Sequence, residues 1–280
     1  MLPKKQHLRL QLLRHNSLTV DRAPSSSGGA RFLLFNYPKY FHIVSALNYS
    51  ILAIDTAFDI CSVAILTPTV SGIRTGDQKR KHADDVLVML QSLLQSQQLS
   101  LSDFDAIAMT SGPGSFTGLR IGTAVVQGLA FGSQRPVVCI SSLAALAEAA
   151  VRIHADSTPA SIVATCIHAR EEEYYFAVYQ KSADGIPASL AKDCIATPSQ
   201  IRDLLAQHAG DNTALAVGEG WVHPLMQDIA SSFGLISVTA SYDAQILASM
   251  AQYELAAGHA VSAEQAAPVY LKDDLEYRTV

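Results

Sequence analysis

Residues 50–56, Ser-Ile-Leu-Ala-Ile-Asp-Thr, form a short apolar run that stops at an acid, and residues 61–66, Cys-Ser-Val-Ala-Ile-Leu, alternate. Both patterns predict strands. The link between them, Ala57 to Ile60, is short enough for a hairpin connection. A third strand is predicted over 70–75. Over 81–97 the period changes to that of a helix. Ala83, Val86, Leu87, Leu90, Leu93, Leu94 and Gln97 fall on one face, and all but the last are apolar. Val88 falls roughly opposite with Met89 at the flank, which suggests a second contact surface.

Beyond a turn begun by Ser100 or Ser102, a strand is predicted over 105–110, a helix over 116–132, a strand over 136–141 and an Ala-rich helix over 142–154. The order β-β-β-α-β-α-β-α predicts a mixed sheet, an antiparallel meander extended by parallel strands with crossover helices. The second half starts again with strands over 161–167 and 173–180, which pair naturally. A helix over 199–208, strands over 213–220 and 236–239, and a helix over 244–257 stopped by Gly258 follow. No internal sequence repeat is evident. The expected organisation is nevertheless two related α/β lobes, 48–155 and 156–280, preceded by a separate segment 1–47. No apolar run reaches the ~18 residues needed to span a bilayer.

Charge separates that first segment from the rest. Residues 1–48 carry seven basic residues against Asp21, a net +6, which leaves −11 on the remainder of a chain whose total is −5. A targeting peptide or a flexible basic arm would share this composition. The expected reading is a disordered extension or a start assigned too early, because the first strand begins only at Ser50. An acidic body repels phosphate, so any RNA contact requires a partner's basic surface. None of the four cysteines forms a C-x-x-C pair, and Cys61, Cys139 and Cys166 lie in apolar runs. Reduced buried thiols and a cytoplasmic location are expected. The nine histidines are scattered without an H-x-x-x-H pair, so local spacing offers no metal site.

Residues 110–122, Thr-Ser-Gly-Pro-Gly-Ser-Phe-Thr-Gly-Leu-Arg-Ile-Gly, carry the densest chemistry. A phosphate-cradling loop needs Lys after its last glycine, and Leu119 stands there. A nucleophile elbow needs glycines where Pro113 and Thr117 stand. Gly112 and Gly114 permit positive φ, and Ser115 is a candidate N-cap. Free N–H groups at this helix start could hold an anion, which makes Gly114, Ser115, Thr117 and Arg120 candidate anion or nucleotide contacts. The competing reading is a tight strand-to-helix turn. The helix itself holds Gly118, Gly122, Ala124, Gly128 and Ala130, and each glycine costs ~1 kcal/mol against alanine. Something large is therefore expected to press on it. Arg120, its only charge, could bind phosphate, pair with a carboxylate or cross an interface. Asp55 could hold Mg²⁺ with a nucleotide, but Ala57 and Phe58 stand where a phosphate-hugging turn wants glycine. Glu171 to Glu173 read as a solvated turn. Gly218 and Gly220 could line a nucleotide base.

The stretch SGPGSFTGLRIGTAVVQGLAFG, with ILAIDTAFDICSVAIL and the His82-headed helix before it, closely resembles the TsaB (YeaZ) family. SSLAALAEAA, IHAREEEYYFAVYQ, VGEGW and APVYL also have counterparts there, so the resemblance covers about residues 48–272. It implies the two-lobed actin-like, sugar-kinase and Hsp70-type (ASKHA, RNase H-like) α/β fold with mixed sheets. It implies a non-catalytic scaffold for TsaD, whose paired histidines hold a metal that this chain has no pair to hold. TsaE joins that assembly, which moves threonylcarbamoyl from threonylcarbamoyl-AMP to N6 of adenosine 37 of tRNA (t6A). The implied partner interface lies on helices 81–97 and 116–132, at His82, Val86, Met89, Gly118, Arg120, Gly122 and Val125. A homodimer through the same face is implied when TsaD is absent. The implied chain has no catalytic residues and no cofactor or metal of its own. ATP or ADP would sit at the junction with the partner, tRNA would be met through the complex, and no membrane is involved. His168-Ala169-Arg170-Glu171-Glu172 departs from the family's usual Asp-Ala-Arg and small or apolar pair. An independent nucleotide-dependent ATPase or kinase using Asp55, and a peptidase, are the alternatives.

Overall fold

A computed structural model describes residues 47–76, 82–154, 161–181, 186–210 and 212–271. The expected extension thus lies outside the described residues, apart from Leu47. The first half runs β1 (Ile51–Asp55), β2 (Ser62–Leu66), β3 (Ser71–Thr75), α1 (His82–Gln97), β4 (Ala106–Gly112), α2 (Phe116–Ser133), β5 (Val137–Ser141) and α3 (Ser142–His154). The second half runs β6 (Ile162–Arg170), β7 (Glu173–Gln180), β8 (Ala188–Ala196), α4 (Pro198–His208), β9 (Ala214–Val217), α5 (Pro224–Ser232), β10 (Ile236–Val238) and α6 (Ala244–Ala256).

The two halves share one topology. The sheets are ordered β3-β2-β1-β4-β5 and β8-β7-β6-β9-β10. In each, the first three strands form an antiparallel meander and the last two add in parallel. The duplication is visible in pairing though not in residue identity. β8 and α5 complete it, and neither was expected from the sequence. β8 carries Lys192 and Asp193 on an edge, where only one flank needs a partner strand, so its apolar signal is weak. α5 has nine residues, too few for a persuasive period.

The layers exchange material between halves. Leu52, Ile54, Val63, Ile65, Ile107 and Met109 face α1 and α2, while Ile51, Ala53, Ala64 and Ala108 face α3 and α6. Helix α6 comes from the end of the chain yet covers the first sheet. Leu143, Leu146 and Ala150 of α3 cover Val163, Ala177 and Leu215 of the second sheet, whose other face meets α4 and α5. The result is α1/α2, sheet, α3/α6, sheet, α4/α5. β1 is buried along its whole length, as a strand covered on both faces must be. All four cysteines are free thiols; Cys61 and Cys166 are buried, Cys139 and Cys194 partly so.

The buried stripe of α1 differs from the expected one. His82, Val86, Met89, Leu90 and Leu93 are inside, while Leu87 is 51 % and Val88 66 % exposed. Apolar residues occur on both sides of this helix, so two stripes compete, and its seat across β2 and β3 selects the one through Met89. Gly258 takes φ of +80° just beyond α6, as expected of a stop residue.

Candidate functional site between the lobes

β1 and β4 run in parallel and end together, which brings Asp55 beside the loop that opens α2. Asp55 is 3 % exposed. Its Oδ1 accepts the Thr110 hydroxyl at 2.7 Å and the Ala57 N–H at 3.0 Å. Burial pushes its carboxyl up to about 6, against the pull of those two hydrogen bonds. The buried Tyr242 hydroxyl sits beside those of Thr110 and Ser142, and the Phe58 ring packs edge-on against Tyr242 at 5.9 Å. Burial, then the Asp55 charge, push that phenol up. A carboxylate so enclosed belongs to the interior of the junction. It is poorly placed to reach a metal-bound nucleotide in the cleft above it.

The glycines of the opening helix also face inward. A Cβ on Gly118 would fall on the Thr56 carbonyl oxygen, one on Gly122 on the Thr56 hydroxyl, and one on Gly114 on the Ala57 carbonyl. The Thr56 hydroxyl donates to the Gly118 carbonyl at 2.8 Å, and the Ser115 N–H donates to the Ala57 carbonyl at 2.7 Å. Ser115 caps α2 by accepting from the Gly118 N–H at 3.2 Å. Something large was expected to press on this helix, and at Gly118 and Gly122, both implied for the partner interface, it is the turn after β1 of the same chain. Val86 and Met89 are likewise buried within the first lobe, and His82, also buried, borders the cleft between the lobes, so none of the three contributes to the outer face of α1. Val125 is partly buried against the same core. Gly218 and Gly220 press on Cys166 of β6 in the same manner, while the other side of Gly218 lines a cavity of about 620 Å³ within the second lobe.

Arg120 remains on the surface. Its guanidinium lies 3.7 Å from the centre of the Phe116 ring, and its Nε donates to the Tyr270 hydroxyl at 3.3 Å. Tyr270 ends a strap that leaves β5 through the Val137–Val261 bridge and runs along α2. Gln127 donates to the Ala266 carbonyl at 2.7 Å, and the Val269 N–H donates to the Ser111 carbonyl at 2.8 Å. One flank of α2 is therefore covered by its own chain. The uncovered flank shows Ala124, Gly128, Phe131 and Gly132, with Phe131 71 % exposed and open space around both glycines. The sequence marked the small residues and not Phe131, because an aromatic on an Ala/Gly-rich helix reads as core.

A cleft of about 620 Å³ opens between the lobes, lined by Ala57, Phe58, Ser115, Thr117, the expected site residues His82 and Gly118, and, from the second lobe, Glu219. Thr117 is exposed to it and Gly114 is half-buried against Ala57. Arg120 turns to Phe116 and Tyr270, so the four candidate anion contacts do not converge as a set. Both Glu219 oxygens accept the His168 N–H at 3.2 Å, and burial raises the Glu219 carboxyl. His168 stacks on His223 at 4.5 Å, and His223 Nδ1 bonds the Tyr174 hydroxyl at 3.1 Å. The His168 departure is thus absorbed within the second lobe. Among the described residues no three His, Cys, Asp or Glu side chains are arranged to hold a metal ion.

Two lobes of one repeated topology, packed through exchanged helices with a cleft between them, define a two-lobed α/β protein with mixed sheets. Residues 60–275 match the family described as TsaD: tRNA N6-adenosine threonylcarbamoyltransferase. The chain is 33 % identical to the tRNA threonylcarbamoyladenosine biosynthesis protein TsaB of Escherichia coli over 235 residues, which span 81 % of this chain and 96 % of that one. Identity to the Haemophilus influenzae TsaB is 33 % over 242 residues, covering 82 % and 97 %. The solved structure of YeaZ from Pseudomonas aeruginosa superposes with a TM-score of 0.67 at 34 % identity, covering 80 % of this chain and all of that one. The chain belongs to the TsaB (YeaZ) family.

Proposed function

We propose that this chain is a non-catalytic subunit of the machinery that forms threonylcarbamoyladenosine in tRNA, and that it acts by binding a TsaD-like catalytic subunit. The observation that carries the reading is the outer layer α1/α2. Leu87, Val88 and Phe131 are exposed there by 51 %, 66 % and 71 %, beside a helix flank of Ala and Gly that lets another backbone approach. Arg120 borders this layer as its preorganised cation. Residues expected in the interface from sequence are replaced by these outward ones, with Arg120 retained. The same surface serves self-association when the partner is absent. A TsaE-like ATPase joins the assembly, ATP or ADP binds at the partner junction, and tRNA is met through the complex in the cytoplasm.

The enclosed state of Asp55 supports a scaffold over an independent ATPase or kinase, because an exposed carboxylate at that strand end is what such chemistry would use. The Ser115 hydroxyl serves as the cap of α2, accepting the Gly118 N–H, which favours a structural turn over a peptidase nucleophile. The test is reconstitution of tRNA modification from TsaD-like and TsaE-like proteins with and without this chain. Modification is expected only with it. Equal product formation in its absence overturns the reading.

A further inference from the structure

The first sheet ends at the edge strand β5 and the second at the edge strand β8, and one side chain spans the two. Asp193 lies on β8. Its carboxylate accepts the Tyr179 hydroxyl at 2.7 Å within its own lobe, and the hydroxyl of Ser141, the last residue of β5, across the junction. The Ser141 oxygen in turn accepts the N–H groups of Leu143 at 3.1 Å and Ala144 at 3.2 Å, which caps α3. A hydroxyl has one proton, and here it goes to Asp193. A carboxylate of the second lobe therefore completes the cap of a helix that begins in the first.

Physical chemistry favours this arrangement strongly for its size. Negative charge is stabilised at a helix N-terminus, and a hydroxyl bonded to a carboxylate is stronger than a neutral pair. Tyr179 is 2 % exposed, and burial followed by the Asp193 charge pushes its phenol up, so it acts as a donor throughout the ordinary pH range. Apolar packing does not close the junction at this edge. An opening of about 560 Å³ lies there, bounded by Cys139 and Ala144 on one side and by Pro187 and Lys192 on the other. The Asp193 bond crosses at the rim of that space, whereas at the centre the lobes are held by the apolar α3/α6 layer.

We infer that Asp193 is a latch that sets the angle between the lobes, and with it the width of the cleft lined by Ala57, Thr117 and Glu219. With the latch broken, the second lobe turns about the α3/α6 layer. The inference rests on side chains within one chain and stands whichever partner the outer helices bind.

The test uses the full chain with spin labels on ketone-bearing residues introduced at Thr117 and Val222, both exposed and on different lobes, so that the four native free thiols stay unlabelled. Pulsed dipolar spectroscopy is expected to give one narrow distance for the otherwise unaltered protein. Asp193→Ala and Ser141→Ala are each expected to broaden that distribution about twofold, and the double variant no further, because the Ser141–Asp193 bond is the one cross-lobe contact they share, the Tyr179 bond and the α3 cap each lying within a single lobe. Should Asp193→Ala fail to fold, Ser141→Ala breaks the same contact from the other lobe. An unchanged distribution in the folded single variants, or additive broadening in the double variant, overturns the latch.

Discussion

Thr56 and Gly118 are locked face to face. The Thr56 carbonyl oxygen occupies the space that a Cβ on Gly118 would need, and the Thr56 hydroxyl donates to the Gly118 carbonyl at 2.8 Å. The absence of a side chain is what lets the first turns of α2 sit on the turn after β1. Gly122, one turn further on, meets the same threonine. The glycines of this helix thus divide into two that carry the lobe's own packing and two, Gly128 and Gly132, that face open space.

That division predicts opposite outcomes for one substitution. Gly118→Ala should lower stability by about 3 kcal/mol, because backbone rather than a flexible side chain stands in the way. Gly128→Ala should raise it by about 0.5–1 kcal/mol, the ordinary helical gain over glycine. Urea unfolding followed by circular dichroism checks both.

The exchange of α3 and α6 between the lobes predicts that damage spreads. Trp221, the single tryptophan, is buried in the second lobe, where its Nε1 donates to the Ala164 carbonyl at 3.1 Å. In Gly118→Ala the altered site lies in the first lobe. Tryptophan fluorescence should still shift to the same lower midpoint as circular dichroism, one transition for both lobes. A fluorescence midpoint left at the wild-type value would mean that the lobes unfold independently.

Asp55 predicts a pH dependence of definite sign. Folded, it titrates near 6, above the ordinary aspartate value of 3.8. Between those values the folded chain keeps a proton that the unfolded chain has lost. The contribution of this group is therefore full below about pH 4, falls as pH rises, and is lost above about pH 6. Asp55→Asn removes the buried charge while keeping an acceptor for Thr110 and Ala57. It should exceed wild-type stability by about 2 kcal/mol at pH 8 and by much less at pH 4. Denaturant titrations at the two pH values measure the difference.

On the outer layer, Phe131→Glu should leave the unfolding midpoint nearly unchanged, since the ring is 71 % exposed. The same change should weaken binding to a TsaD-like subunit by about 2 kcal/mol, roughly thirtyfold. Gly122→Glu should instead unfold the chain, because its side chain would enter the space of the Thr56 hydroxyl. Calorimetric titration of the folded Phe131 variant separates loss of binding from loss of fold.

Arg120→Ala should cost about 1 kcal/mol or less, as expected of an exposed cation stacked on a ring. Its loss removes the hydrogen bond to the Tyr270 hydroxyl and leaves that ring its contact with Phe116 at 5.6 Å, so Tyr270 and Leu271 should exchange amide hydrogen faster while the Val261 bridge to Val137 stays protected. Hydrogen exchange by mass spectrometry resolves the two segments.

Much of the architecture was legible because local rules agree with the final packing. The apolar run of β1, the alternation of β2, the Ser115 cap and the Gly258 stop each appear where the sequence puts them. The loop at 112–118 was marked as unusual, and it does stand at the junction. Of the readings left open for it, the tight strand-to-helix turn is the one that stands, and what presses on its glycines was not legible, since small residues in a sequence announce close approach without saying what approaches. The same ambiguity hid Phe131, exposed on a helix whose composition reads as interior, and β8, whose charged residues include the carboxylate that reaches the other lobe.

The chain's pattern of apolar period, turn chemistry and motif determined two α/β halves and the TsaB family, because those signals are local and additive along the backbone. Which neighbour each glycine admits, which flank of α1 and α2 stays uncovered, and how Asp55 and Asp193 are held were decided only by tertiary structure. These are contacts between residues dozens to more than a hundred positions apart, and they exist only once helices exchanged between the lobes bring the strand ends together.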